Sequence, residues 1–252
     1  MLRLPIAIGL LAALLVASPA GAWPPEVSRA ENYAGSRKGS VSFALIGPRK
    51  GFFSSRSATV VPAASVMKVM FLTAYLRHAR GRALNDDDRA LLRPMITRSA
   101  NAPATTIANR LGPGPINALA RDARMRHFTY RRPWGSSSVT AADQARFLYR
   151  FERFIPVRHE RYARYLLSHV VESQRWGIGE LRKPNWRFFF KGGWGSGSGA
   201  VCHQVAFLER DGMRIAVAVM ITNSPSHAYA TDSLRGVFKR LLDELPRTKQ
   251  PD

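Results

Sequence analysis

One long apolar segment constrains the fold of this 252-residue chain more than any other feature. Between Ser57 and Leu76 the only charged residue is Lys68. The spacing of apolar residues predicts a helix over 66–80, and a helix that is apolar on almost every side must be buried. The chain must therefore build a core that encloses this helix, with a lysine inside it.

Composition agrees with a protein that has such a core. Hydrophobic residues make up 46% of the sequence, which excludes disorder for most of the chain. A single cysteine excludes an intramolecular disulfide scaffold. The net charge of +21, from 38 Lys and Arg against 17 Asp and Glu, indicates an anionic partner or anionic surroundings.

The first residues predict where the protein works. Arg3 precedes an apolar run over 4–17, and small residues follow over 18–22, which is the order of a secretory signal peptide. The run is shorter than the roughly twenty residues of a membrane-spanning helix, although an uncleaved anchor is the alternative. We therefore expect a signal peptide at 1–22 and a secreted, periplasmic or envelope protein. Export makes nucleic acid an unexpected partner and leaves anionic cell-wall polymers as a candidate.

The order of elements predicts an α/β fold of the α+β type. Strands are predicted at 41–46, 187–190, 201–208 and 213–221, with a tight turn at Asp211-Gly212. Helices are predicted at 66–80, 86–99, 105–111, 116–123, 141–154, 161–171 and 229–245. We expect an antiparallel sheet made from both chain ends, flanked by helices and carrying an all-helical insertion.

The predicted domain boundaries follow from this order. Residues 23–252 are expected to form one domain, with a sheet part from 23–60 and 180–252 and a helical part from 61–179. No internal repeat or low-complexity linker divides them.

Ser65 and Lys68 form the first candidate pair for chemistry. They are three residues apart, so they lie on one face of the predicted helix and their polar groups can meet. Burial disfavours the charged form of a lysine, so its pKa falls and it can accept the proton of a serine hydroxyl. The alternative is a lysine that extends its amine to solvent beside an N-terminal serine cap.

Two further segments add to this pair. Ser99-Ala100-Asn101 follows a predicted helix, and Lys191-Gly192-Gly193 follows a predicted strand. Each segment alone is typical of a cap or a turn. Ser-x-x-Lys, Ser-x-Asn and Lys-Gly-Gly in this order, each at an element boundary, resemble the three motifs of class A β-lactamases and penicillin-binding proteins. The resemblance extends over about 41–245.

The resemblance implies a catalytic role for three residues. Ser65 would be the nucleophile that forms an acyl-enzyme, and Lys68 would be its base. Ser99 would relay a proton to the leaving nitrogen. Acyl transfer needs an activated nucleophile and an acid for the leaving group, so these roles suit the residue types.

The resemblance also implies a set of substrate-binding groups. Asn101 would hold an amide of the substrate, and Lys191 would attract its carboxylate. The backbone N–H groups of Ser65 and Trp194 would form an oxyanion hole. The glycines of Gly192-Gly193 would let the strand backbone approach the substrate.

The sequence departs from the motifs of that superfamily at several points. Ala100 stands where the family has Asp, and Gly192 stands where it has Thr or Ser, which removes a hydroxyl that helps to bind a carboxylate. The segment between the first two motifs is also shorter than usual, which predicts an abbreviated cleft wall.

The departure with the largest consequence concerns carboxylates. The loop over 125–140, where a class A enzyme would carry its deacylating glutamate, contains none. Asp143 is placed to support the start of the following helix. Without a base to activate water, an acyl-enzyme would form and persist. Glu172 and Glu180 lie later in the chain and are the remaining candidates to fold over the site.

Other candidate sites carry less. Cys202 and His203 are neighbours in a predicted strand, so their side chains face opposite sides and cannot form a dyad. The run over 195–199 resembles a flexible strand end and does not match a nucleophile elbow. The histidines lack metal-ligand spacing, so neither a metal nor another cofactor is expected. The alternating arginines and aromatic residues over 146–165 fit either an anionic polymer or a solvated helix face.

Two functions are consistent with these residues. The first is a secreted serine hydrolase that forms an acyl-enzyme at Ser65 on a β-lactam or a related peptidoglycan amide, with slow deacylation. The second is a non-catalytic or penicillin-binding envelope protein that binds anionic cell-wall polymers. No feature of the sequence specifies an oligomeric state.

Overall fold

A five-stranded antiparallel sheet is made from both ends of the described chain. The computed structural model describes residues 25–48, 51–195 and 200–245, so the predicted signal peptide and most of the 195–199 run lie outside it. The strands are β1 Ser40–Ile46, β2 Phe52–Ser55, β3 Val61–Pro62, β4 Ser138–Val139, β5 Arg187–Trp194, β6 Val201–Arg210 and β7 Met213–Thr222. The sheet has the order β2-β1-β7-β6-β5, and β3 pairs with β4 separately. The predicted fold class is confirmed.

Helices cover both faces of this sheet. They are α1 Val27–Ser36, α2 Met67–His78, α3 Asp86–Thr97, α4 Asn101–Leu111, α5 Pro113–Asp122, α6 Ala141–Tyr149, α7 Val157–Ser168 and α8 His227–Leu241. Helices α1 and α8 pack on each other on one face, while α6 contacts β1, β6 and β7 on the other. Within 25–245, leaving aside 49–50 and 196–199, no helix is long and apolar enough to cross a membrane.

The side chains of β7 show how the sheet separates two cores. Ile215, Val217 and Val219 are buried against α1 and α8. Ala216 and Ala218 alternate with them and are buried against the helices on the other face. Successive strand residues point to opposite faces, and here both faces are covered, so the strand is apolar throughout.

Local sequence signals explain where several elements begin. Asn85 caps α3, accepting from the Asp88 amide at 2.9 Å while the Asp88 carboxylate accepts from the Asn85 amide at 2.9 Å. The Thr140 hydroxyl accepts from the Asp143 amide at the start of α6. The turn between β6 and β7 has positive φ at Asp211 and Gly212, as the Asp-Gly pair predicts.

Some boundaries differ from those predicted. Helix α4 begins at Asn101, the last residue of the Ser99-Ala100-Asn101 motif, and the helix predicted at 141–154 ends at Tyr149. Strand β5 continues through the lysine-glycine motif to Trp194, so the motif lies within the strand. Helix α1 and the β3–β4 pair were not predicted.

Candidate active site

The candidate nucleophile lies at a strained connection between β3 and α2. Ser65 is the middle residue of a 3-10 turn that leads directly into α2, and Ala64 before it has φ of 45°. Such a backbone costs about 1–3 kcal/mol in a residue other than glycine, and it persists only where the surroundings hold it. The serine is buried, with 8% of its surface exposed.

His203 is one of the groups that hold this connection. It is fully buried on β6, and its Nδ1 accepts from the Ile221 amide at 3.1 Å. The Nε2 must therefore carry the proton and donate to the Pro62 carbonyl, 2.9 Å away, at the end of β3. Burial lowers the pKa of His203 to about 4, so the ring stays neutral at neutral pH.

Lys68 lies at the centre of a cluster of oxygen atoms. Its Nζ is 2.9 Å from the Ser65 Oγ, 3.1 Å from the Ser99 Oγ and 2.8 Å from the Asn101 Oδ1. It also donates to the Ser99 carbonyl. The side chain is fully buried, and burial lowers the pKa of Lys68 to about 7. A substantial fraction of the amine is therefore neutral at neutral pH and able to accept a proton.

Ser99 connects this lysine to the second motif lysine. The residue joins α3 to α4 with φ of 56°, which turns its side chain and its carbonyl toward the same cluster. The Lys191 Nζ donates to the Ser99 Oγ at 2.9 Å and to the Gly192 carbonyl at 2.7 Å. Burial, and then the charge of Lys68, lower the pKa of Lys191. A serine hydroxyl between two amines can pass a proton from one to the other.

At Gly193 the backbone of β5 packs closely against the turn Ala64–Val66, called here the nucleophile turn because it carries Ser65. A Cβ at this position would lie 2.9 Å from the amide nitrogen of Ser65 and 2.7 Å from that of Val66. Real side chains essentially never approach backbone this closely, so only glycine lets the strand reach the turn. Trp194, the predicted second donor of an oxyanion hole, is the next residue of this strand.

Trp176 fills the space beside Gly192. A Cβ on Gly192 would lie 2.6 Å from the Trp176 ring, so the indole occupies the space that a side chain at this position would need. The Trp176 ring centroid is 5.8 Å from that of Trp194 and 5.6 Å from that of His227. These three rings give the far side of β5 an aromatic surface next to the motif.

The three candidate carboxylates have other partners or none among the described residues. The Asp143 carboxylate accepts from the Arg126 and His127 amides at 3.1 and 2.9 Å, so it organises the 125–140 loop. Glu180 is 3.4 Å from Arg235 on α8. Glu172 is exposed and has no ion-pair partner in the part of the chain that the structure describes.

Glu172 nevertheless lies on a segment next to the site. The amide of Val171 donates to the Thr97 carbonyl at 2.9 Å, and the Gln174 side chain donates to the Arg98 carbonyl at 2.8 Å. The turn that carries Glu172 is therefore fixed against the end of α3, immediately before Ser99.

Sequence reasoning missed Trp134, which lies over Lys68. The Lys68 Nζ is 5.0 Å from the centroid of the Trp134 ring, and the indole N–H donates to the Thr105 hydroxyl at 3.1 Å. The loop without carboxylates thus brings an aromatic face to the lysine, and a tryptophan among polar residues was the signal that could have indicated it.

The neighbours Cys202 and His203 on β6 do not form a catalytic pair. Cys202 and His203 face opposite sides of the sheet, as predicted: the Cys202 Sγ is 3.8 Å from the His227 Nδ1, while His203 faces Pro62. Burial raises the pKa of Cys202 to about 12, which makes it an inert thiol at neutral pH.

Comparison with solved structures gives the same fold at low identity. A β-lactamase from Sphaerobacter thermophilus is similar with a TM-score of 0.76 and 19% identity, over 86% of this chain and 96% of that one. An ancestral class A β-lactamase gives a TM-score of 0.74 and 17% identity, over 86% and 98%. A class A representative from Bacteroides cellulosilyticus gives 0.74 and 12%, over 87% and 98%. No curated protein matches the sequence.

A family model gives the more specific result. The model of the beta-lactamase enzyme family matches residues 88–245. The match includes Ser99, Asn101 and Lys191 and begins after Ser65 and Lys68. Because the matched segment is more than half of the sequence, the chain belongs to the beta-lactamase enzyme family.

Proposed function

We propose that this protein is a secreted serine hydrolase that forms an acyl-enzyme at Ser65 on a β-lactam or a related peptidoglycan amide. One observation carries the proposal: the buried Lys68 amine lies 2.9 Å from the Ser65 hydroxyl and has its pKa lowered to about 7. A lysine in this state can remove the serine proton at neutral pH. Secretion rests on the signal-peptide pattern at 1–22.

The proposed acylation step accounts for each proton. The Ser65 Oγ attacks the amide carbonyl and its proton passes to the Lys68 Nζ. The carbonyl oxygen becomes an oxyanion held by the N–H groups of Ser65 and Trp194. When the C–N bond breaks, Ser99 gives its proton to the leaving nitrogen and takes one from a neighbouring lysine. The contacts of Ser99 with both Lys68 and Lys191 support this relay.

We further propose that deacylation is slow. Hydrolysis of the ester needs a base that activates water, and the positions of Asp143 and Glu180 direct both carboxylates to other groups. Trp134, over Lys68, adds no base. An acyl-enzyme would then persist, which is the behaviour of a penicillin-binding protein.

A labelled penicillin tests both parts of the proposal. The mature protein, residues 23–252, is incubated with the compound and its intact mass is followed over time. We expect a covalent adduct in wild type and in Ser36→Ala, an exposed serine on α1, and none in Ser65→Ala. Absence of an adduct in wild type, or an undiminished adduct in Ser65→Ala, would contradict the nucleophile and favour the non-catalytic alternative.

The lifetime of the adduct separates the two outcomes for deacylation. A lasting adduct supports slow deacylation in the absence of a base that activates water. Rapid loss with release of hydrolysed penicillin would contradict slow deacylation. The adduct lifetime in Glu172→Gln would then show whether Glu172, next to the end of α3, is the base that activates water.

A further inference from the structure

A second cleft lies away from the candidate active site. It has a volume of about 810 Å³ and lies between α7, the segment 175–183 and the beginning of β5. The strand residue of the cleft that lies nearest to Gly193 is Phe189, four positions away, which places the cleft roughly 13 Å along the strand from Gly193. None of the motif residues lines it, so the proposed chemistry gives this cleft no role.

The cleft is strongly basic. Its lining includes Arg161, Arg164, Arg175, Arg182, Lys183 and Arg187. Against these charges, the described lining contains a single carboxylate, that of Glu160.

Only some of these positive charges are neutralised within the protein. Arg164 forms ion pairs with Glu152 and Glu209, and the Lys183 Nζ lies 3.8 Å from the Asp243 carboxylate. Arg187 lies 3.7 Å from Glu209 with 73% of its side chain exposed.

Three arginines remain available. Arg161, Arg175 and Arg182 have no carboxylate partner among the residues that the structure describes, and the first and last are exposed. Unpaired guanidinium groups bind phosphate and carboxylate oxygens with two parallel hydrogen bonds.

The arrangement of these groups favours an extended ligand. Arg161, Arg164 and Ser168 are three or four residues apart, so they follow one face of α7. From Arg161 to Ser168 this face extends roughly 10 Å along the helix. Arg175 and Arg182 lie on the facing segment, so the charges line both walls along the groove.

The aromatic residues of the cleft argue against base recognition. Tyr165 is stacked between Tyr162, at 6.4 Å between ring centroids, and His169, at 3.9 Å. Trp186 is buried, with 8% of its surface exposed. Proteins that bind single-stranded nucleic acid offer free aromatic faces to the bases, whereas Trp186 is buried and the 41% exposed Tyr165 already stacks on His169.

We propose that this cleft binds a linear polyanion through its phosphate or carboxylate groups and without recognising bases. The proposal is independent of the acyl-enzyme at Ser65, since no residue is shared between the two sites.

Fluorescence titrations with three probes test the proposal. Inorganic polyphosphate carries phosphate, polygalacturonate carries carboxylate on a sugar chain, and a single-stranded oligonucleotide of equal charge carries bases. We expect the mature protein to bind at least one base-free probe, and the better one identifies the anionic group. Arg161→Gln/Arg182→Gln should weaken this binding by on the order of tenfold and reduce its salt dependence.

A matched double variant distinguishes binding in the cleft from general attraction to the net charge of the protein. Arg121→Gln/Arg124→Gln removes the same charge from the end of α5 and should leave binding unchanged. Equal losses in both double variants, no binding of either base-free probe, or tighter binding of the oligonucleotide would each overturn the proposal. Penicillin acylation should be unchanged in Arg161→Gln/Arg182→Gln, and its loss would contradict the separation of the two sites.

Discussion

In the proposed acylation, Lys68 sets the pH at which Ser65 reacts. The neutral amine accepts the serine proton, and burial lowers the lysine pKa to about 7. Below that pH the amine is protonated and cannot act as a base. We expect the rate of penicillin acylation to rise with pH between about 6 and 8 and then to level off. Stopped-flow measurements of adduct formation across this range check the inflection.

Variants show whether Lys68 causes the inflection. Lys68→Ala should lower the acylation rate about 10²–10⁴-fold, whereas Lys239→Ala, an exposed lysine on α8, should preserve both rate and inflection. A rate that does not change from pH 6 to 8 in wild type would contradict a lysine base with the lowered pKa.

Gly193 is the residue at which the sheet meets the nucleophile turn. Gly193→Ala would place a Cβ 2.9 Å from the Ser65 amide and force the strand away from it. Loss of an oxyanion donor lowers acyl transfer about 10²–10³-fold, and we expect a loss of this size in the acylation rate.

Gly114→Ala is the matched control, because a Cβ there meets nothing within 4 Å. The substitution lies in the first turn of α5 and should not change the acylation rate. Acylation by Gly193→Ala at the wild-type rate would show that the close approach is not required.

Strand β6 is connected to β3 by a hydrogen bond from His203 to the Pro62 carbonyl. His203 is neutral in the folded protein, since burial lowers its pKa to about 4, whereas an unfolded histidine titrates near 6.5. As the pH falls from about 6.5 to about 4, the unfolded state gains a proton that the folded state does not. We therefore expect this group to lower stability by roughly 3 kcal/mol over that range.

Urea unfolding at pH 7, 5.5 and 4 measures this effect. His203→Gln keeps a donor for the Pro62 carbonyl and does not titrate. The variant should lose stability less steeply than wild type as the pH falls. Parallel curves for the two proteins would exclude His203 as the source.

The sequence predicted the elements that carry strong local signals. The apolar segment around Lys68 required a buried helix, Asn85 and the following acidic residues specified the start of α3, and Asp211-Gly212 specified a hairpin. Helical spacing predicted the contact between Ser65 and Lys68, and the resemblance of the three motifs to a known family implied that Ser99 and Lys191 lie beside them.

Elements that depend on distant contacts were not predictable in this way. Helix α1 has only Ala30 fully buried, and it is anchored through Arg37, which follows it and donates to the Ser233 hydroxyl of α8 at 2.7 Å. The two-residue strands β3 and β4 are too short for an alternation pattern. Trp176 beside Gly192 depends on a contact between segments far apart in sequence, which periodicity does not report.

The candidate site exists only where the sheet and the helices meet. Lys191 and Gly193 come from β5, whereas Lys68 and Ser99 come from α2 and the α3–α4 connection. A displacement between these parts would separate the two lysines from the Ser99 hydroxyl. Interactions that connect the helices to the sheet therefore keep the candidate site assembled as well as stabilising the fold.

A network of four charged residues provides such a connection. Arg214 on β7 donates to Glu209 on β6 at 2.9 Å and to Glu152, after α6, at 2.6 Å. Arg164 on α7 donates to the same Glu152 at 2.7 Å. The side chains are 16–21% exposed, and the two guanidinium groups lie over the rings of Phe189 and Phe207, which stack at 4.6 Å.

Arg214→Met should therefore be more damaging than a surface substitution. It leaves two mostly buried carboxylates with one arginine, and breaking a buried ion pair costs about 3–5 kcal/mol, less where solvent still reaches it. We expect the free energy of unfolding to fall by about 2–3 kcal/mol.

Arg235→Met is the control. Its pair with Asp232 has side chains 52% and 44% exposed, and its loss should cost less than about 1 kcal/mol. Equal losses in urea unfolding would mean that the network is an ordinary surface feature. A lower acylation rate in Arg214→Met, measured under conditions in which the protein is still folded, would show that the network also keeps the candidate site assembled.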